Sequence, residues 1–173
     1  MEEMDKNIFL TGRIGAGKST VLRVVLDSLA LTYGGFRTLP IISEERKLSG
    51  FKIVDIATSK EAKIAFFDEN YLIHPVTYGF ETVGVEAVRA ALINKEAIIM
   101  DELGFLESDA LNFQKEVFKA LESDKLVLGA IKLERNNFLN RVAELSSIIE
   151  VTEETKENIP DLLRRLIWDC TKI

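Results

Sequence analysis

Gly12-Arg13-Ile14-Gly15-Ala16-Gly17-Lys18-Ser19 decides the fold of this chain. A glycine, four residues and then Gly-Lys-Ser is the spacing of a phosphate-binding loop. Its flanks fit. Asn7-Ile8-Phe9-Leu10-Thr11 reads as a short buried strand leading in, and Thr20 to Leu31 as a helix leading out. That order matters because the backbone N–H groups at a helix start point at a bound anion. Gly12, Arg13, Ile14, Gly15, Ala16, Gly17, Lys18, Ser19 and Thr20 are therefore the expected nucleotide-binding residues. Lys18 is expected to reach the β- and γ-phosphates as a catalytic group, and the Ser19 hydroxyl to hold Mg²⁺.

A nucleotide site needs a second half. Ala97-Ile98-Ile99-Met100 is a compact apolar run ending in Asp101-Glu102. It reads as a buried parallel strand whose carboxyl end carries two acids. Phosphate-loop enzymes place there the carboxylate that serves Mg²⁺, here Asp101. Glu102 is the expected catalytic residue, orienting or deprotonating the water that attacks the γ-phosphate. Arg13 and Arg141 are the best candidates among the arginines for a phosphate contact.

Phe36–Ser43 and Gly50–Thr58 read as strands of a hairpin closed by the polar stretch Glu44–Lys47, after a turn at Thr32–Gly35. Pro40 marks an edge or a bulge. Lys63–Phe67 is a further strand, and Asp68–Tyr78 a loop with a short strand near Val76. Val85, Val88, Ala91 and Leu92 give Glu81–Asn94 helical spacing. Ser108–Glu122 is a helix capped by Ser108 or Asp109. Leu126–Ile131 and Ser147–Thr152 are strands around a helix from Asn136 to Leu145, and Pro160–Cys170 is the last helix. Trp168 and the phenylalanines read as core. The alternation predicts an α/β P-loop NTPase three-layer fold, with a mainly parallel central sheet and an antiparallel hairpin extension. Residues 1–173 read as one nucleotide-binding domain.

A formal net charge of −6 argues against a nucleic-acid partner. Cys170 is the sole cysteine, so no intrachain disulfide forms, which suits a reducing cytoplasm. The start, Met1–Lys6, is acidic and has no signal-peptide core, and no apolar run approaches a membrane span. His74 is the sole histidine, which rules out a His-rich metal site, and its place before Pro75 suggests a surface or turn position.

Taken together, these residues resemble the THEP1-type nucleoside-triphosphatases. The likeness runs through the loop, Gly35-Phe36, Gly50-Phe51-Lys52-Ile53-Val54-Asp55, Asp101-Glu102-Leu103-Gly104 with Glu107, Gly129-Ala130-Ile131, Glu150-Val151-Thr152 and Asn158-Ile159-Pro160. It implies a P-loop fold and broad, slow, Mg²⁺-dependent hydrolysis of nucleoside triphosphates such as ATP or GTP to diphosphate and phosphate. Lys18, Ser19, Asp101 and Glu102 match by position. The chain departs from the resemblance at Ile14, Thr38–Ile42, Phe105 and Thr155-Lys156.

Two other readings use the same loop. In a small-molecule kinase, Glu102 would deprotonate an acceptor hydroxyl instead of water. The lack of a compact arginine cluster counts against it. In a regulatory module, nucleotide binds without turnover. Phosphate released without an acceptor, transferred only to one, or neither, separates the three.

Overall fold

The protein's structure, a computed structural model, describes residues 6–171; the acidic stretch Met1–Asp5 and residues 172–173 lie outside them. In chain order the elements are β1 (Asn7–Thr11), α1 (Lys18–Asp27), β2 (Tyr33–Ile42), β3 (Leu48–Asp55), β4 (Glu61–Phe67) and β5 (Ile73–Pro75). There follow α2 (Thr77–Gly79), a π-helical turn (Phe80–Gly84), α3 (Val85–Asn94), β6 (Ala97–Leu103) and α4 (Leu111–Leu121). The chain closes with β7 (Leu126–Ile131), α5 (Asn137–Glu144), β8 (Ser147–Glu150) and α6 (Ile159–Thr171).

All eight strands join one sheet in the order β5-β4-β3-β2-β6-β7-β1-β8. From β2 to β8 the neighbours run parallel. Strands β3, β4 and β5 extend it as an antiparallel wing. Every residue of β1 and of β7 is buried, as a parallel sheet covered on both faces requires. Alternation splits the core in two. Phe9, Ile98, Met100 and Val127 face one way, with Val88, Phe113, Val117 and Leu139. Ile8, Leu10, Ile99 and Leu128 face the other, with Val21, Leu22 and Val25 of α1 and with Leu163 and Ile167 of α6. The result is the expected three-layer arrangement. Strand β7 lies between β1 and β6, and its Gly129 sits level with Phe9 on one side and Met100 on the other. A Cβ at Gly129 would lie 2.6 Å from the Phe9 ring and would also strike the Met100 carbonyl.

Four expectations change. Residues 33–35 belong to β2 and not to a turn. Gly35, at φ 108°, passes so close to the Ile99 backbone that a side chain there would strike its carbonyl. The glycines serve close strand approach, which local sequence reads as a turn. The helix expected from Glu81 begins at Thr77 and passes through the π-helical turn. Helix α4 begins at Leu111, and its cap is neither Ser108 nor Asp109. The Glu81 carboxylate instead accepts the Asn112 and Phe113 N–H groups at 2.9 and 3.2 Å. Trp168 is 60% exposed and not core, and Phe66 and Phe105 are exposed too. His74 does lie at the surface, 2.7 Å from Asp68 and stacked on Phe66. Pro40 sits on β2 beyond Arg37, the last residue paired with β6, so its missing N–H breaks no ladder on that side.

Candidate active site

The loop leaves β1 where neighbouring strands fix its root. The Thr11 hydroxyl donates to the Ile131 carbonyl at 2.9 Å, and the Val151 N–H to the Thr11 carbonyl at 2.8 Å. Gly12, Gly15 and Gly17 take φ values of 147°, 78° and 96°, which favour glycine. Helix α1 then starts at Lys18 with Gly17 as its cap. Its first N–H groups have no partner within the helix and face the loop's concavity.

Lys18 is buried, and its ammonium donates to the Gly12 and Arg13 carbonyls at 2.9 and 3.1 Å. It also lies 3.5 Å from Glu102 Oε2. The Ser19 hydroxyl donates to Asp101 Oδ1 at 3.0 Å. Thus the loop and the end of β6 meet at two points, although β7 separates their strands. Strand β6 runs on to Leu103 with a register shift between Asp101 and Leu103. Both acids face the loop from that irregular end.

Burial raises the Asp101 carboxyl above its ordinary range, the Ser19 hydrogen bond opposes this, and the neighbouring Glu102 charge reinforces it. The Glu102 N–H donates to the Thr38 hydroxyl at 3.3 Å, and Glu102 Oε1 lies 2.6 Å from Lys132 Nζ. Glu102 is therefore gripped by Lys18 and Lys132, one cation per oxygen. Behind it, Glu107 is 1% exposed and accepts the Gly104 N–H at 2.7 Å. Burial pushes its carboxyl up to about 7, against the opposing Gly104 hydrogen bond.

Among the described residues no three His, Cys, Asp or Glu side chains cluster as a metal cage. Ser19 and Asp101 supply two hard oxygen donors 3.0 Å apart. That fits Mg²⁺, which takes few protein ligands and fills its shell with phosphate oxygens and water.

The structure brings Lys18, Ser19, Asp101 and Glu102 together. The Arg13 and Ile14 side chains are exposed, as is that of Thr20. Arg13 contributes its carbonyl here. Arg141 is drawn elsewhere: its guanidinium lies 4.3 Å from the Phe118 ring centre and 3.8 Å from Glu122. Lys132, Thr38 and Glu107 were not singled out for roles in the sequence. A signal for Lys132 existed, since it follows the apolar run of β7 at a strand's carboxyl end, as Asp101 does on β6. No helix among the described residues is long and apolar enough to cross a membrane.

The family described as NTPase matches residues 7–163. Nucleoside-triphosphatase THEP1 of Thermotoga petrophila is 32% identical, with 93% of this chain and 90% of the relative covered. That of Methanocaldococcus jannaschii is 29% identical, over 92% and 96%. Among solved structures, a human cancer-related nucleoside triphosphatase superposes with a TM-score of 0.77 at 18% identity, covering 96% of this chain and 99% of its own. THEP1 from Aquifex aeolicus gives 0.74 at 22%, over 92% and 97%. At those identities the two structures speak for the fold.

Proposed function

The chain belongs to the NTPase family of THEP1-type nucleoside-triphosphatases, and from that membership we propose that it hydrolyses nucleoside triphosphates such as ATP or GTP to diphosphate and phosphate. The observation that carries the reading for this chain's own residues is the double contact of loop and strand end, Lys18 with Glu102 and Ser19 with Asp101.

The loop amides and Lys18 bind the β- and γ-phosphates. Ser19 and Asp101 would hold Mg²⁺, which would neutralise phosphate charge. Glu102 accepts a hydrogen bond from the attacking water, aligns it with the γ-phosphorus and takes its proton. Thr38 and Lys132 position Glu102 from either side. The sugar and base extend over the groove lined by Gly15, Ala16, Val151 and Thr152. The whole chain acts as one domain. The single cysteine and acidic balance fit work in the cytoplasm on a small molecule rather than on nucleic acid.

The test is phosphate release from Mg²⁺-ATP and Mg²⁺-GTP by wild type and by Glu102→Gln and Asp101→Asn. Glu102→Gln should slow release on the order of 10²-fold. Asp101→Asn should raise the Mg²⁺ concentration needed. Equal release by all three proteins would refute these roles.

A further inference from the structure

Beside Glu102 lies a second cavity, of about 210 Å³. Its walls are apolar: Phe51 of β3, Ile64 of β4, Ile73 of β5, Phe80 of the π-helical turn, and Phe105. Its polar groups are few: Thr38, Glu102, Glu107 and Lys132. Of these, Glu102 is the one whose carboxylate also reaches Lys18 of the loop. Ile14 borders both this cavity and the groove beyond the loop. A pocket with an apolar body and a few convergent polar groups is the ordinary form of a small-molecule site.

We propose that this cavity seats a second substrate, a small phenol or alcohol with an aromatic body, which takes the γ-phosphoryl group in place of water. The proposal rests on the reading above, in which Lys18 binds the γ-phosphate and Glu102 faces the group that attacks it. Size selects the occupant, because the volume is below the roughly 300–1,000 Å³ of sites for drug-sized ligands. Three phenylalanine rings on the walls favour an aromatic body, through offset and edge-on ring contacts. A hydroxyl on that body, turned to the polar groups, meets Glu102 at the place the water would take.

The chemistry balances without another reactant. The acceptor oxygen bonds to the γ-phosphorus as the bond from that phosphorus to the β-bridging oxygen breaks. The bond's electron pair leaves on the nucleoside diphosphate. The acceptor's proton passes to Glu102 and then to solvent. The products are an aryl phosphate, the diphosphate and one proton. Apolar walls around the acceptor also keep competing water out.

The test uses the full chain, Mg²⁺-ATP labelled in the γ-phosphate, and two probes. 2-Naphthol carries the acceptor hydroxyl, and 2-methoxynaphthalene has nearly the same body without it. With 2-naphthol, labelled naphthyl phosphate should form and free phosphate should fall in proportion. With 2-methoxynaphthalene no transfer should occur, and phosphate release should slow as the probe displaces water. Ile73→Glu puts a charge in the wall from an edge strand. It should cut transfer tenfold or more while phosphate release without a probe stays within twofold. Phe51→Ala, which adds no charge, should weaken the apparent affinity for 2-naphthol in the same direction. Steady hydrolysis that neither probe changes would overturn the pocket alone. Transfer that both wall variants leave intact would do the same. A wild type that neither releases nor transfers phosphate would overturn the placement of the γ-phosphate, and the acceptor role with it.

Discussion

At the scale of residues, under the proposed roles, the ion pair between Lys18 and Glu102 sets nucleotide binding against turnover. A triphosphate must recruit an ammonium already engaged by a carboxylate and two loop carbonyls. Glu102→Gln removes that competitor and one negative charge. It should tighten nucleotide binding several-fold in calorimetry even as turnover falls. Weaker binding would show that Glu102 helps to hold the nucleotide. Lys18→Ala should abolish tight binding and leave the circular dichroism spectrum unchanged, because the lysine serves the loop and not the core. Glu107 gives a second readout. Its folded carboxyl titrates near 7 against 4.5 as the ordinary value, so between these the folded chain holds more protons than the unfolded one. Stability therefore falls as pH rises through that window and levels above it, by roughly 3 kcal/mol for this group. Glu107→Gln keeps an acceptor for the Gly104 N–H and cannot ionise. Urea unfolding at pH 5 and pH 8 should show a smaller loss for the variant than for wild type; equal losses would assign the pH dependence to other groups. The meeting of Lys18, Ser19, Asp101 and Glu102 was legible because a loop and a strand end each announce themselves locally. Thr38 was not, because it meets Glu102 only once β2 flanks β6; Lys132 carried a strand-end signal, but its partner Glu102 lies on the neighbouring strand.

At the scale of elements, helical and strand periods were read where one face is apolar and were missed where a distant group intervenes. β1 and β7 stand within the bounds expected. The start of α4 does not, because its cap comes from Glu81, on the π-helical turn. No window around Ser108 contains that carboxylate. Glu81→Ala should cost about 1 kcal/mol, the usual scale for a lost cap, and speed amide exchange at Asn112 and Phe113. Unchanged exchange there would mean that water or another group caps the helix equally well. The first residues of β2 escape a local reading for the same kind of reason. The demand for glycine at position 35 is set by Ile99, a residue far along the chain.

For the whole molecule, the order of elements carried the fold, since a parallel sheet with crossover helices leaves few arrangements for this alternation. The site gathers residues from the loop, the end of β6, Thr38 of β2 and Lys132 just past β7. Ligand binding should therefore act on global stability. At a free nucleotide concentration a hundred times the dissociation constant, mass action adds about 2.7 kcal/mol. For a chain of this size that is a rise in melting temperature on the order of 5–10 °C. Mg²⁺-ATP should produce it with wild type and not with Lys18→Ala. A shift of the same size in both would place the nucleotide elsewhere.

Gly129 carries a consequence at this largest scale. β7 keeps β1 and β6 two strand spacings apart, about 10 Å. Gly129 gives way to the Phe9 ring and to the Met100 carbonyl, so a Cβ there must displace one or both, and Met100 directly precedes Asp101. Gly129→Ala should destabilise the chain by roughly 1–3 kcal/mol through overpacking. It should also part Ser19 from Asp101, although it touches neither. Phosphate release would then need more Mg²⁺, with the loop's grip on nucleotide unchanged. A Mg²⁺ requirement equal to that of wild type would show that the strands yield around the extra methyl. The fit at this point of the sheet thus depends on a side chain that is absent.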